Sequence, residues 1–191
     1  MRAIRDELLA FTDSPLYEYR KTNNYFPVAG EGSHEAKIVF IGEAPGKNEA
    51  LTGRPFCGAA GRLLDELLAS VGIDRKTVYI TNIVKDRPPE NRDPTLEEIA
   101  AYAPFLDRQL EIISPKIIAT LGRFSMAYIM QKFYLATDRQ SIGQIHGRQF
   151  KAESPFGEIL IIPFYHPAAA IYSGATKEAL RQDFQILGKL R

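Results

Sequence analysis

The sequence holds a single cysteine, Cys57, so no disulfide forms within the chain, and a reducing, cytoplasmic location is expected. No apolar run approaches the roughly 18 residues that a membrane helix requires. The opening stretch carries Asp6 and Glu7 and lacks the apolar core of a signal peptide. Neither sign of charge dominates. With 24 Lys and Arg against 23 Asp and Glu, the net charge is +1, so a nucleic-acid partner must be met by a local basic patch rather than a whole-molecule field. No His/Cys/Asp cluster has metal-ligand spacing, which excludes an evident metal site. The phosphate-binding pattern GxxxxGK(S/T) and the dinucleotide fingerprint are both missing. There are no repeats, low-complexity tracts or linkers. The 191 residues therefore read as one domain, 1–191, long enough to bury a substantial core.

What is present is organised around residues 36–61. The run Ile38-Val39-Phe40-Ile41 has the β-branched and aromatic character of a buried strand. It breaks into a loop with Gly42, Pro45, Gly46, Gly53, Gly58 and Gly61. Upstream, residues 3–11 read as a short amphipathic helix and 12–35 as an irregular approach. Downstream, Leu63, Leu64, Leu67, Leu68 and Val71 form a helical stripe over 58–71, stopped by Gly72. Residues 78–84 form a second strand. Thr95, with Glu98 three residues on, is a capping box that opens a helix to about 113. A third strand at 117–121 is followed by a helix at about 123–132, and 134–150, with His146, is loop-like. Two short strands, about 147–153 and 158–164, flank a turn at Phe156-Gly157, and a last helix covers about 175–189. Strands alternating with helices imply an α/β fold: a three-layer α/β/α sandwich with a central, mainly parallel sheet of about four strands.

In such a sheet, ligands sit outside the carboxyl ends of the strands. The Gly42–Gly46 loop delivers Glu43 there, Asn82 ends the second strand, and His166-Pro167 ends the last. Each has an ordinary reading: a tight turn, a backbone cap, a satisfied loop histidine. Each also has a chemical one. An Asn amide offers a donor and an acceptor to a pyrimidine edge, and a His can donate to an oxygen gaining negative charge. Phe56, flanked by glycines, is either a stacking platform or an aromatic tucked under its loop. The force of the pattern lies in the convergence of a carboxylate, an amide, an imidazole and an aromatic on one rim. His34 and His146 fit no such pattern.

Five ordered segments, 42–49, 53–68, 81–102, 108–122 and 166–169, resemble the uracil-DNA glycosylase superfamily, most closely its family 4 enzymes. The resemblance implies a monofunctional enzyme that hydrolyses uracil from flipped-out nucleotides in DNA and leaves an abasic site. Gly42, Ala44 and Gly46 would then belong to the water-activating loop, with Glu43 as its carboxylate. Glu49 would exclude thymine's methyl, Phe56 would stack on uracil, Asn82 would read its edge, and His166 would stabilise the departing base.

The sequence departs from the family pattern in three places. The four cysteines that hold an iron–sulfur cluster in family 4 align with Phe11, Ser14, Asp86 and Tyr102, so no cluster is expected, nor any other cofactor. Phe11 and Tyr102 are expected to fill the vacated space by apolar packing. The residue after Glu43, an Asp in family 1, is Ala44. Where relatives usually place a leucine wedge, this chain has Ala170, Ile171 and Tyr172; Ala170 is too small, leaving Ile171 or Tyr172. No covalent trap or strand cleavage is expected, because the uracil-crosslinking insert and an amine nucleophile are lacking. Arg54, Lys85, Arg87 and Arg92 are candidate phosphate contacts. The expected partner is uracil-containing DNA, single- or double-stranded, bound by a monomer. Two alternatives are a cluster-free paralogue that binds DNA without efficient catalysis and a small-molecule α/β hydrolase or transferase that ignores DNA.

Overall fold

The computed structural model describes residues 1–135 and 140–190; positions 136–139 of the stretch read as loop-like lie outside the described residues. In chain order the elements are α1 (Arg2–Ala10), α2 (Tyr17–Thr22), β1 (Glu31–Gly32), β2 (Ile38–Gly42), α3 (Lys47–Thr52), α4 (Ala59–Ser70), β3 (Tyr79–Asn82) and α5 (Leu96–Ile113). There follow β4 (Ile117–Leu121), α6 (Arg123–Lys132), α7 (Ile142–Ile145), β5 (Phe150–Ser154), β6 (Gly157–Phe164), α8 (Pro167–Ile171) and α9 (Gly174–Lys189).

The sheet runs β1-β3-β2-β4-β6-β5. Its four inner strands are parallel, and an antiparallel strand closes each edge. Every residue of β2 and β4 is buried, as expected of strands covered on both faces. Side chains alternate between two cores. Phe40, Ile80, Ala119 and Ile162 pack against Leu64 and Leu67 of α4 and Leu180 and Phe184 of α9. Val39, Ile41, Ile118 and Ile161 pack against Leu106 and Leu110 of α5 and Ile129 of α6. That is the three-layer arrangement expected from the sequence, with the capping box of Thr95 and Glu98 in place.

The sheet has six strands rather than about four, and the differences are local. The two-residue β1 pairs with β3 inside the stretch read as irregular. β5 begins at Phe150, not 147. The short helices α2, α3, α7 and α8 carry too few turns to show a period. Of these α3 matters most: Gly46 caps it, and Gly53, in the left-handed conformation at φ 71°, ends it. That single turn and a half directs Glu49 back toward the rim.

Candidate active site

The carboxyl ends of β2 and β3 are in register, Gly42 opposite Asn82. The chain is stitched beyond that point: Ile83 N–H donates to the Gly42 carbonyl and Val84 N–H to that of Glu43, each at 3.0 Å. His166 follows the end of β6 by two positions and caps α8. These ends bring Glu43, Ala44, Gly46, Glu49, Phe56, Asn82 and His166 around one cavity of about 290 Å³, roofed by Pro88, Asn91, Arg92, Asp93 and Pro94. Apart from Arg92, no local signal in the sequence marks the roof residues. They belong to a proline-broken loop whose path no periodicity announces.

Both carboxylates are held by helix N-termini, where backbone N–H groups attract negative charge. Glu43 Oε1 accepts from Phe124 N–H at 3.0 Å, in the first turn of α6. Gly122 must be bare there, since a Cβ would strike the Glu43 carboxylate. Burial raises the pKa of Glu43, against the pull of the Phe124 hydrogen bond. Glu49 Oε1 accepts from Cys57 N–H at 2.9 Å and Gly58 N–H at 2.8 Å. It thus anchors the loop that presents Phe56 and leads into α4.

Phe56 lies at φ 48°, an unusual conformation for an aromatic residue, and such strain clusters at functional sites. Only 6% of its surface is exposed, yet it lines the cavity, so it is a wall of the pocket rather than a free platform. Its ring stacks on that of His166 with centroids 5.6 Å apart. Packed protein around His166 lowers its pKa to about 4, so the ring is neutral at neutral pH. His166 Nδ1 accepts from Ala168 N–H at 3.1 Å, which leaves the proton on Nε2 as a donor.

Asn82 is 1% exposed, and its Oδ1 is buried without a hydrogen-bond partner among the described residues. Unpaired buried oxygens are rare and costly. The carboxamide packs against Gly42, where a Cβ would collide with both Oδ1 and the Phe56 ring. Gly42 is therefore a spacing residue on which Asn82 and Phe56 both close.

The basic residues divide. Lys85 is fully buried, with its ammonium turned into the protein, so it cannot reach a phosphate; the expectation of a DNA contact there is corrected. Its polar neighbours in sequence disguised an inward-facing position. Arg54 is exposed and forms a two-bond pair with Glu31 at 2.8 and 3.0 Å. Arg87 donates to Asn91 Oδ1 at 2.8 Å and to Tyr25 Oη at 2.8 Å. Arg92 pairs with Glu98 at the pocket rim. Ala170 is packed in the core, which corrects its assignment to the DNA-facing set, whereas Ile171 and Tyr172 are exposed.

The corner where the family pattern would put four cysteines is solid. Phe11 and Tyr102 meet edge to face at 5.7 Å, and Phe105 lies against Phe11. The space is not filled by apolar packing alone, as expected from the sequence. Tyr102 Oη donates to Asp86 Oδ2 at 2.6 Å and is bonded to Ser14 Oγ. Buried Arg20 binds Asp86 Oδ2 at 3.1 Å and the carbonyls of Leu8, Leu9 and Phe11. No position offers a thiolate, and each polar group is committed to another, so these residues do not fit a cluster. Among the described residues no group of three or more His, Cys, Asp or Glu could hold a metal, and no helix is long and apolar enough to cross a membrane.

A doubly covered α/β sheet with a carboxylate, an amide and an imidazole on its rim has a counterpart among known families. The chain belongs to the uracil DNA glycosylase superfamily, whose family model matches residues 29–187. Within it, the chain is similar to the Type-4 uracil-DNA glycosylase of Sulfurisphaera tokodaii, at 44% identity over 191 residues, covering 100% of this chain and 84% of that protein. The Type-4 uracil-DNA glycosylase of Saccharolobus solfataricus is 44% identical over 183 residues, 95% of this chain and 82% of that protein. That of Archaeoglobus fulgidus is 45% identical over 172 residues, 90% and 84%.

Proposed function

We propose that this protein is a uracil-DNA glycosylase: it hydrolyses the N-glycosidic bond of uracil in DNA, without cutting the strand, and leaves an abasic site. The observation that carries the reading is the buried Oδ1 of Asn82, without a partner among the described residues, in a cavity of about 290 Å³ walled by Phe56. A flipped uracil offers that oxygen its N3–H, and offers a carbonyl to the amide N–H. Cytosine has no N3–H and would leave the Asn82 oxygen unpaired, at a cost that discriminates strongly. Glu49, whose carboxylate lies beside Gly46, is the proposed barrier to the methyl of thymine.

The chemistry follows from charge. Bond cleavage leaves an oxocarbenium-like sugar and a uracil anion, and His166 Nε2–H is the donor for the anionic oxygen. A neutral imidazole keeps its proton there and stabilises charge only as it develops, on the order of 3 kcal/mol for one such donor. Glu43, one oxygen tied to α6, has its other oxygen for orienting or deprotonating water. That role requires the ionised form.

The partner is uracil-containing DNA, single- or double-stranded, with Arg54, Arg87 and Arg92 as phosphate contacts and Ile171 or Tyr172 as the side chain entering the vacated stack. The enzyme acts as a cytoplasmic monomer of one domain and needs no iron–sulfur cluster, since its corner is closed by Arg20, Asp86 and Tyr102. A labelled uracil oligonucleotide treated with protein and then alkali tests the reading. Wild type should cleave quantitatively and Asn82→Ala about 10²–10³-fold more slowly. Intact oligonucleotide with wild type, or equal rates for the two proteins, would refute it.

A further inference from the structure

Lys85 poses a problem that the reaction does not absorb. It is a cationic side chain with no exposed surface, on the segment leaving β3, and no carboxylate pairs with it among the described residues. Burial alone pushes its pKa well below the ordinary lysine value. Such a group is costly unless its donors are all used.

They are. Nζ lies 2.7 Å from Thr81 Oγ1, 2.7 Å from Gln109 Oε1 and 2.7 Å from the backbone carbonyl of Asn82. The partners' own protons are committed elsewhere. Thr81 Oγ1–H donates to the Ala29 carbonyl at 2.9 Å. Gln109 Nε2 donates to the same carbonyl at 2.7 Å and to Tyr79 Oη at 3.2 Å. Three acceptors therefore face Nζ, and three donors are what an ammonium supplies. Arg in this position would carry a planar fork in place of a tripod.

We infer that Lys85 is a positioning residue for Asn82: from behind the sheet it fixes the Asn82 carbonyl to Thr81 and Gln109, and so sets the aim of the Asn82 carboxamide into the pocket. This rests on the uracil-excision reading. Asn82 is the last residue of β3, where ladder bonds thin out, and its side-chain Oδ1 has no hydrogen-bond partner among the described residues to hold it. Gly42 restrains it on one side through the strand register and close packing. Lys85 supplies the second restraint, on the backbone atom two bonds from where the side chain departs. Gln109, on α5, extends the anchor to the helical layer, so the base-reading amide is tied to rigid elements rather than to its loop.

The test is Lys85→Met in wild-type and Asn82→Ala backgrounds, by single-turnover excision well below each variant's unfolding midpoint. Lys85→Met should lower the excision rate about 10²-fold, the scale of a displacement of about 1 Å at a reacting group. KM for uracil DNA should stay within about three-fold, because the phosphate contacts are untouched. Preference for uracil over cytosine should narrow as well. In the Asn82→Ala background the same change should cost less than about three-fold, since the residue it positions is gone. An unchanged rate in Lys85→Met, or an equal loss in both backgrounds, overturns the inference. If Lys85→Met does not fold, Thr81→Val removes one anchor of the ammonium isosterically and is held to the same pattern at a smaller amplitude. Wild-type excision of uracil separates the outcomes: its absence fails the activity itself, whereas its presence with an additive cycle fails only the role of Lys85.

Discussion

The corner built by Arg20, Asp86, Tyr102 and Ser14 and the pocket built by Asn82, Phe56 and His166 meet at opposite ends of a short segment, with three residues between Asn82 and Asp86. Both bury polar side chains. In the corner both terminal nitrogens of Arg20 and the Tyr102 hydroxyl find acceptors within the protein, and the carboxylate of Asp86 takes bonds from two directions. In the pocket Asn82 Oδ1 is left without one. A closed network resists unfolding and binds nothing; an open one holds a place for a ligand. The difference separates residues that hold the molecule together from those proposed to recognise a substrate, although Asn82 is as buried and polar as Asp86.

The sharpest way to break that contrast is Asp86→Ala. It strands the buried Arg20 guanidinium and the Tyr102 hydroxyl, and should cost about 3–5 kcal/mol. For a chain of this size that lowers the melting temperature by about 6–20 °C. The excision rate measured well below the transition should remain within a few-fold. Asn82→Ala should do the reverse, losing about 10²–10³-fold in rate while leaving the melting temperature unchanged or higher, because an unpaired buried oxygen is removed. Calorimetry beside single-turnover kinetics reads both, and a variant that moved the two measurements together would erase the distinction.

A third prediction concerns pH. Burial sets the pKa of Glu43 above the ordinary glutamate value of 4.5, so its ionised form, the one proposed to activate water, is lost as pH falls through that raised value. The rate should decline on the acid side earlier than an exposed glutamate would allow, and Glu43→Gln should abolish that limb while lowering the plateau. The sign for stability is opposite: with a folded pKa above the unfolded one, the protein gains stability as pH drops across the same window. The smallest effect is expected at Arg92→Ala. It loses a partly exposed pair with Glu98, about 0.3–1 kcal/mol, and, on the proposed reading, one phosphate contact, reducing the salt slope of DNA binding by about 1. Base preference should not change.

What could be read from the sequence depended on range. The stripes of α4, α5 and α9 and the apolar runs of β2 and β4 are local signals, repeated over enough residues to stand above noise. Glu43, Asn82 and His166 stand out in the sequence because each ends or follows a strand, and Phe56 because its loop is flanked by glycines; the family resemblance supplies the roles proposed for them. Lys85 is misleading in the sequence because its neighbours Asp86 and Arg87 look like a solvated loop, and nothing local reveals that Gln109 waits 24 positions away to receive it. Arg20 was overlooked for the same reason, its partner Asp86 lying 66 positions on. Ala170 looked like a surface residue by its place after His166, yet the one-turn helix α8 folds it inward.

Cys57 carries a practical consequence. It is the sole thiol of the chain, half-buried, and its N–H is gripped by the pocket carboxylate of Glu49. A maleimide dye placed there would be attached at one known position, on the loop that presents Phe56. Without any cysteine having to be engineered out, fluorescence could then follow, millisecond by millisecond, how that loop responds when a nucleotide arrives.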